Sequence, residues 1–483
     1  MVKVAKRHEI DFTTGRLLKK MLKYALPIVC VNILQLLFTT ADLTVLGQFT
    51  HNDNAIAGVG ASTPIVNLMI GFFTGLSVGA NVLISRCVGA RDVERARKLV
   101  GTSVFVSIVS GIFIMIVGTI LAEQLLTWVK CDPDVLPYAT TYLRIYFIGM
   151  PIIMLYNFCA AILRSVGDTL RPLIFLIIAG ILNILLNIFF VAVIGWDIEG
   201  VAIATVVSNG VSGICACVIM AKSDGYSKLE RKNFKFHGKE FGEIFKIGLP
   251  IAISKCLFSV ANVLVSSNLN DLGETAMAAH SITKEFDGFV LEAAHGIGVA
   301  TVAVVSQNYG AKKPERIKKV IGISLMVQLV TCISLGLLLL LFGRQLCGIM
   351  TNTKEVLDLC VVRITTVSIL YFTLGLVNVI LEATRGLGYS FLATLESVFS
   401  NIVLRMIYLY FVYPAICIKG NIAHNLRMLY ILYPASWTIT SLVGSIFLVV
   451  LFKKVKTRLN EEKAKEEQEK QIKEEQEVLV EEP

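Results

Sequence analysis

The chain has 483 residues, of which 55% are hydrophobic and only 17% are charged. Charged residues make up about a quarter of an ordinary globular composition, so this composition excludes a typical water-soluble protein. The net charge of +9 would suit a nucleic-acid ligand, but basic loops on one side of a membrane explain it better. We therefore expect a lipid bilayer around the chain and no nucleic-acid partner.

Twelve apolar segments follow one another, each long enough to cross about 30 Å of hydrocarbon as a helix. The predicted spans, numbered in order, cover residues 24–48, 55–84, 99–122, 138–163, 172–195, 199–220, 246–270, 275–306, 320–342, 358–384, 391–416 and 428–452. They divide into two six-span lobes, 24–220 and 246–452, joined by a linker, 221–245. An N-terminal segment, 1–23, precedes them, and a charged tail, 453–483, follows as a solvated helix or a disordered segment.

Basic residues are concentrated in every second connection between the spans. The N-terminal segment, the loop after span 2, the linker and the loop after span 8 are rich in Lys and Arg. Residues 50–54, 196–199 and 271–274 contain neither. Because basic loops remain in the cytoplasm, we expect a multi-pass protein of the inner (cytoplasmic) membrane with both termini cytoplasmic. The first apolar segment is too long for a cleavable signal peptide.

The two halves of the sequence repeat each other. Three motifs recur 221 to 223 residues later: Leu26-Pro27-Ile28 as Leu249-Pro250-Ile251, Gly89-Ala90-Arg91 as Gly310-Ala311-Lys312, and Arg164-x-x-Gly167 as Arg385-x-x-Gly388. Since six spans separate the repeats, both halves have the same orientation in the membrane. Repeats of this kind favour alternating access to a site between the lobes. We predict an all-α integral membrane fold with two parallel-repeat six-helix lobes around a central cavity.

Asp42 in span 1 is the most informative polar residue of the first lobe. A carboxylate in a span costs about 2.5–3.5 kcal/mol on insertion scales, so such residues usually face the bundle interior and carry function. Asn183 and Asn187 are four residues apart on span 5 and therefore share one face. Asn157 and Thr205 add an amide and a hydroxyl group on spans 4 and 6. One carboxylate among neutral groups could carry a proton or hold a partly dehydrated Na⁺, and the sequence leaves both open.

Spans 7 and 8 carry the polar residues of the second lobe. We expect Asp287 and Glu292 to line the central cavity or to pair with Lys255 or Lys284, because lipid contact would be too costly. The predicted substrate cavity comprises Gln35, Lys255, Phe258, Lys284, Asp287 and Glu292. In span 10, Glu382 lies three residues before Arg385, which favours a local salt bridge.

These motifs resemble the multidrug and toxic compound extrusion (MATE) family. The start Leu26–Ile28 followed by Thr40–Gly47 is similar to the Pro…Asp-x-x-x-x-Gly pattern of that family, and Gly75–Gly79 leading to Gly89–Arg91 is similar to its next signature. Asp42, Asn157, Asn183 and Thr205 match the ion site of the DinF-like bacterial branch. Asn187 departs from this pattern, because that branch often has Asp there.

The resemblance implies a monomeric secondary active exporter that exchanges H⁺ or Na⁺ for small organic compounds, cationic or amphipathic. It implies no cofactor beyond the coupling ion. An enzyme is disfavoured, because the sequence lacks a P-loop, an H-E-x-x-H motif and a Ser/His/Asp grouping. Two other transporters remain as alternatives: a flippase for a lipid-linked precursor, and a major-facilitator-type transporter, whose loop after span 2 is similar to residues 89–98.

Overall fold

The computed structural model describes residues 9–50, 52–270 and 272–481. Residues 1–8, 51, 271 and 482–483 lie outside the described residues. They include parts of the predicted N-terminal segment, of two predicted loops without basic residues, and of the predicted tail. The described part of the chain is all-helical, as the apolar pattern predicts.

Twelve long helices, α1 to α12, correspond in order to the predicted spans. They cover Leu17–Phe49, Asp53–Ala90, Val93–Trp128, Leu136–Ser165, Leu170–Ile194, Ile198–Lys222, Gly238–Asn270, Glu274–Gly310, Pro314–Met350, Lys354–Gly386, Ser390–Ile416 and Ile422–Glu481. Within the described residues, all of them except α7 are long and apolar enough to cross a membrane, which makes eleven candidate spans. Helices α5 and α11 contain π-helical turns, and α10 contains a 3-10 turn.

Several helices extend beyond the predicted spans. Helix α1 begins at Leu17 instead of residue 24, and α7 begins at Gly238 instead of residue 246. Helix α12 continues as a helix to Glu481, through the described part of the predicted tail. Apolar composition marks only the part of a helix that contacts hydrocarbon, whereas backbone hydrogen bonding continues into the polar ends. The connection between α6 and α7 is therefore shorter than the predicted linker.

The repeated sequence motifs form the turns at one end of the bundle. Arg91 and Lys312, equivalent in the repeat, both adopt a left-handed backbone conformation, with φ of 61° and 51°. Gly167 and Gly388, which end α4 and α10, do the same, with φ of 87° and 90°. Left-handed residues are a common way to end a helix. We call this end of the bundle the basic face; it holds the α2–α3, α4–α5, α6–α7, α8–α9 and α10–α11 connections.

The two lobes, α1–α6 and α7–α12, approach each other most closely through equivalent glycines. A Cβ atom on Gly75 of α2 would lie 2.4 Å from Cα of Ala252 on α7. A Cβ atom on Gly296 of α8 would lie 3.0 Å from Cα of Val29 on α1. Small residues allow such close helix contact in membranes. The interface between the lobes thus contains two equivalent close contacts, each formed by a glycine from one half of the repeat.

Candidate functional site

Asp42 lies on α1 in a hydrogen-bond network with side chains of α5 and α6. Asn187 Nδ2 donates to Asp42 Oδ1 at 2.5 Å, and Thr205 Oγ1 lies 3.5 Å from Oδ2. Asn183 is joined to both neighbours, with its Nδ2 atom 3.4 Å from Thr205 Oγ1 and its Oδ1 atom 3.4 Å from Asn187 Nδ2. We call these four residues the Asp42 network. The structure thus brings together four of the five side chains predicted for the cation site.

The fifth predicted residue, Asn157, lies apart from this network. Its Nδ2 atom donates to the backbone oxygen of Ile153 one turn earlier on α4, at 3.0 Å. It lines the same cavity as Asp42. Asn157 therefore belongs to the cavity wall in this conformation, while Asp42 is held by α5 and α6.

The Asp42 network offers oxygen atoms to a cation. The carbonyl oxygen Oδ1 of Asn187 is buried and accepts no hydrogen bond within the described structure. A carboxylate, an amide oxygen and a hydroxyl oxygen are ligand types that hard cations prefer. A proton needs only the Asp42 carboxylate. The geometry is therefore compatible with a bound proton or a bound Na⁺.

A cavity of about 440 Å³ lies between the lobes, and Asp42 lines it from the first lobe. Gln35 lines it from α1, and Lys255 and Glu292 line it from α7 and α8. Three of the six predicted cavity residues thus face this space. Because both lobes contribute to its wall, the shape of the cavity depends on their relative position.

A second cavity, of about 130 Å³, adjoins the first on the side of the basic face. Lys255 and Gln35 line both spaces, and Arg164, Glu382 and Arg385 line only the second. Arg385 Nη1 forms an ion pair with Glu382, which confirms the predicted local salt bridge. We call this space the inner chamber and the first one the outer chamber.

The other three predicted cavity residues, Phe258, Lys284 and Asp287, line a separate space of about 100 Å³ within the second lobe. The predicted pairing of Asp287 with Lys255 or Lys284 is wrong. Asp287 instead accepts hydrogen bonds from Arg363 Nη2, at 2.5 Å, and from the hydroxyl group of Tyr371.

The sequence analysis did not identify Arg363 and Tyr371 as partners of Asp287, because pairing between residues on different helices depends on tertiary structure. One signal was available in the sequence, since Arg363 is a cation inside predicted span 10. A buried cation in a membrane span requires a counter-charge, and its partner lies on α8.

At the basic face, the two lobes are joined by a crossed pair of hydrogen bonds. Gln307 Nε2 of α8 donates to the backbone oxygen of Ser165, at the end of α4, at 2.8 Å. The equivalent residue of the first lobe, Arg86 on α2, donates through Nη2 to the backbone oxygen of Gly386, at the end of α10, at 3.4 Å. Each half of the repeat therefore binds the other, and these contacts close the inner chamber toward the basic face.

Residues 9–15, which we call the strap, lie across these contacts. Phe12 is fully buried, and its backbone N–H donates to Gln307 Oε1 at 3.3 Å. Arg316 on α9 donates to the backbone oxygen of Phe12 through Nε at 3.2 Å and through Nη2 at 2.9 Å. The strap is thus bound to the second lobe at the position where the lobes meet.

The strap also contacts the first lobe. A Cβ atom on Gly167 would lie 2.5 Å from the backbone nitrogen of Ile10, so only glycine permits this approach. The rings of Phe12 and Tyr24, on α1, meet edge to face with their centroids 5.0 Å apart. The strap therefore bridges both lobes at the basic face.

The MatE family model matches the chain twice, over residues 27–189 and 250–411. The chain belongs to the MATE family. The two matches together cover more than half of the chain and fall one in each lobe. MATE proteins are transporters, so this protein is a membrane transporter and not an enzyme.

Curated MATE relatives cover most of the chain. It is 26% identical over 391 residues to the "Probable multidrug resistance protein YoeA" of Bacillus subtilis (strain 168), which covers 79% of this chain and 84% of the relative. It is 27% identical over 378 residues to the "Probable multidrug resistance protein NorM" of Thermotoga maritima, with 77% and 80% covered.

A solved MATE structure shares the fold. The "Outward-facing conformation of a multidrug resistance MATE family transporter of the MOP superfamily" superimposes with a TM-score of 0.85 at 20% identity, covering 92% of this chain and 98% of that chain. The predicted architecture of twelve helices in two lobes is confirmed.

Proposed function

We propose that this protein exports small amphipathic organic compounds from the cytoplasm in exchange for a cation bound at the Asp42 network. The observation that carries the proposal is the Asp42 carboxylate, which lies in the wall of a cavity shared by both lobes and is held in a network of three neutral polar side chains. Protonating or metallating Asp42 changes its hydrogen bonds to α5 and α6. The ion can therefore alter the packing of the first lobe.

The transport cycle follows from the two faces of the bundle. We take the basic face as cytoplasmic, because its connections and the helix ends beside them are richer in Lys and Arg than those at the opposite end of the bundle. The cavity accepts a cation from the outside while the strap and the crossed hydrogen bonds close the cytoplasmic side. Cation binding then favours the return to a state open to the cytoplasm, where the next compound enters. The chain works as a monomer, because it carries both repeats.

The membrane potential supplies part of the driving force. One charge moved inward releases about 2.3 kcal/mol per 100 mV. This free energy supports a gradient of roughly 50-fold for a neutral compound. If the cation is Na⁺, the side-chain oxygens of Asn187, Asn183 and Thr205 serve as ligands beside Asp42. If it is a proton, the Asp42 carboxylate is sufficient to bind it.

The test uses purified protein in liposomes, with inward Na⁺ and H⁺ gradients imposed separately. We would follow the efflux of a fluorescent organic cation for the wild type, for Asp42→Asn, and for Asp197→Asn as a matched control. Asp197 lies in the α5–α6 connection, and its side chain makes no capping hydrogen bond there. We expect one gradient to drive efflux, Asp42→Asn to abolish the gradient-driven part, and Asp197→Asn to retain it. Unimpaired efflux by Asp42→Asn would refute the ion site.

A further inference from the structure

The inner chamber differs from the outer chamber in charge. Three cationic side chains line it, those of Arg164, Lys255 and Arg385, against a single carboxylate, that of Glu382. The outer chamber is lined by two carboxylates, those of Asp42 and Glu292, and by one cation, Lys255. The central space therefore changes from net negative to net positive toward the basic face.

The excess positive charge arises from a departure from the internal repeat. Arg164 and Arg385 occupy equivalent positions, and Arg385 is paired with Glu382 one turn earlier on its own helix. The residue equivalent to Glu382 in the first lobe is Ala161, so Arg164 has no carboxylate on that turn. Its electrostatic neighbours are the hydroxyl groups of Tyr24 and Tyr156.

Lys255 adds a third cation between the two chambers. It lies on α7 and interacts electrostatically with both guanidinium groups, those of Arg164 and Arg385, and with the carboxylates Glu382 and Glu292. Two cations near each other in a membrane interior are costly unless an anion joins them. The chamber of about 130 Å³ has room for a small anionic group.

We propose that Arg164, Lys255 and Arg385 form a subsite for an anionic oxygen group of the exported compound. Guanidinium groups bind carboxylate and phosphate oxygens through two parallel hydrogen bonds, and an ammonium group adds a point charge. The cationic or apolar part of the same compound then lies in the outer chamber. This inference deepens the proposed function and rests on it, because it names the chemistry of the exported compound.

The subsite is also adjacent to the contacts that close the basic face. Arg164 precedes Ser165, whose backbone oxygen accepts the hydrogen bond of Gln307, and Arg385 precedes Gly386, whose backbone oxygen accepts that of Arg86. An anion held between Arg164 and Arg385 thus joins the ends of α4 and α10. Separation of the lobes at this face moves the two guanidinium groups apart and weakens the subsite.

The test is equilibrium binding to purified protein without any ion gradient, so that it does not depend on coupling. The probes are rhodamine 110, which carries a free carboxylate, and rhodamine 123, its methyl ester. We expect the wild type to bind the carboxylate dye at least about tenfold more tightly than the ester, as a charge-assisted hydrogen bond provides. Lys255→Met and Arg164→Gln should each reduce that preference about fivefold or more, while Arg164→Lys should retain most of it.

Lys284→Met is the matched control, because Lys284 lines the separate cavity of the second lobe. It should leave the ratio of the two dissociation constants unchanged. A wild-type ratio near one, or variants that weaken both dyes equally, would overturn the subsite. If the wild type prefers the carboxylate dye and the Lys255→Met and Arg164→Gln variants lose that preference, the subsite is supported even when the wild type shows no gradient-driven efflux. That second result would refute the coupling proposal alone.

Discussion

The shortest polar contact of Asp42 is with Asn187, whose Nδ2 atom lies 2.5 Å from the carboxylate. We predict that Asn187→Asp increases the dependence of the protein on sodium. Two carboxylates within hydrogen-bonding distance repel each other unless a proton or a metal ion is shared between them. The measurement is the rise in the unfolding temperature with added NaCl, compared with choline chloride at equal ionic strength, at a pH near 8. The variant should be stabilised by sodium more strongly than the wild type.

Asn209→Asp provides the control for this prediction. Asn209 lines the same chamber, but its Nδ2 atom donates to the backbone oxygen of Thr205 on its own helix, at 2.8 Å. This variant adds the same charge to the cavity outside the Asp42 network. Equal sodium stabilisation of both variants would mean that general cavity charge, not contact with Asp42, attracts the ion.

The buried ion pair between Asp287 and Arg363 leads to a second prediction at this scale. Both residues are at least nine-tenths buried, so each neutralises the other in a medium that solvates neither. Asp287→Asn should lower the free energy of unfolding by about 3–5 kcal/mol, because it leaves the guanidinium group without a counter-charge. The double variant Asp287→Asn/Arg363→Met should recover most of the loss. Thermal unfolding in detergent provides the measurement, and an additive double variant would show that the two residues act independently.

The sequence predicted the members of the Asp42 network much better than it predicted the ion pair between Asp287 and Arg363. The spacing of Asn183 and Asn187 places them on one helix face, and Asp42 stands out as a carboxylate in a span. Their association with each other followed from the resemblance to the DinF-like branch, not from spacing. The partner of Asp287 could not be found this way. Several cations were available in the second lobe, and only the packing of α10 against α8 selects Arg363 over Lys255 and Lys284.

At the scale of the helices, α2 and α8 cross at the basic face through a pair of equivalent glycines. A Cβ atom on Gly89 would lie 1.9 Å from the backbone oxygen of Gln307, and one on Gly310 would lie 2.0 Å from that of Arg86. We predict that Gly89→Val and Gly310→Val prevent the lobes from closing there. Both should expose Cys87, which is 4% exposed and lies on α2 beside this crossing.

The measurement is the rate of maleimide labelling of Cys87 after the other cysteines are replaced by Ala. Gly322→Val is the control, since nothing lies within 4 Å of a Cβ atom at that position on α9. We expect faster labelling in the first two variants and an unchanged rate in the third. Slow labelling in both Gly89→Val and Gly310→Val would mean that the helices accommodate the added side chain without separating.

The extent of the helices shows where a hydropathy pattern stops being informative. Apolar composition located all twelve spans, but not the polar turns by which α1 and α7 begin earlier. It also gave no indication that residues 9–15 would cross the basic face. The strap contains few apolar residues, and its position depends on backbone oxygens that accept hydrogen bonds from Arg316 and Lys313. Main-chain contacts of this kind leave no periodic signal in a sequence.

For the whole molecule, closure of the basic face depends on three sets of contacts in one place. The equivalent glycines set the distance between α2 and α8, the crossed hydrogen bonds join the lobes, and the strap covers both. Packed interfaces have discrete arrangements and do not deform continuously. The two lobes should therefore occupy either a closed or an open state at this face, and loss of any one set should change the ratio of these states.

The strap allows this idea to be tested without altering either lobe. Phe12 is fully buried in the closed state, and Phe→Ala substitutions in packed interiors cost about 3–5 kcal/mol. If opening of the face releases the ring into water, Phe12→Ala destabilises the closed state alone. About 3 kcal/mol would change the ratio of open to closed molecules by a factor on the order of a hundred. We predict that Phe12→Ala shifts the protein toward the state open at the basic face.

The measurement is double electron–electron resonance between spin labels at Glu94→Cys and Lys318→Cys, in a background without other cysteines. These exposed positions lie at the basic face, on α3 and α9, one in each lobe. Phe12→Ala should add or enlarge a population with a longer distance, whereas the control Thr14→Ala, in an exposed part of the strap, should match the parent. Identical distance distributions for Phe12→Ala and the parent would show that the glycine and side-chain contacts close the face without the strap.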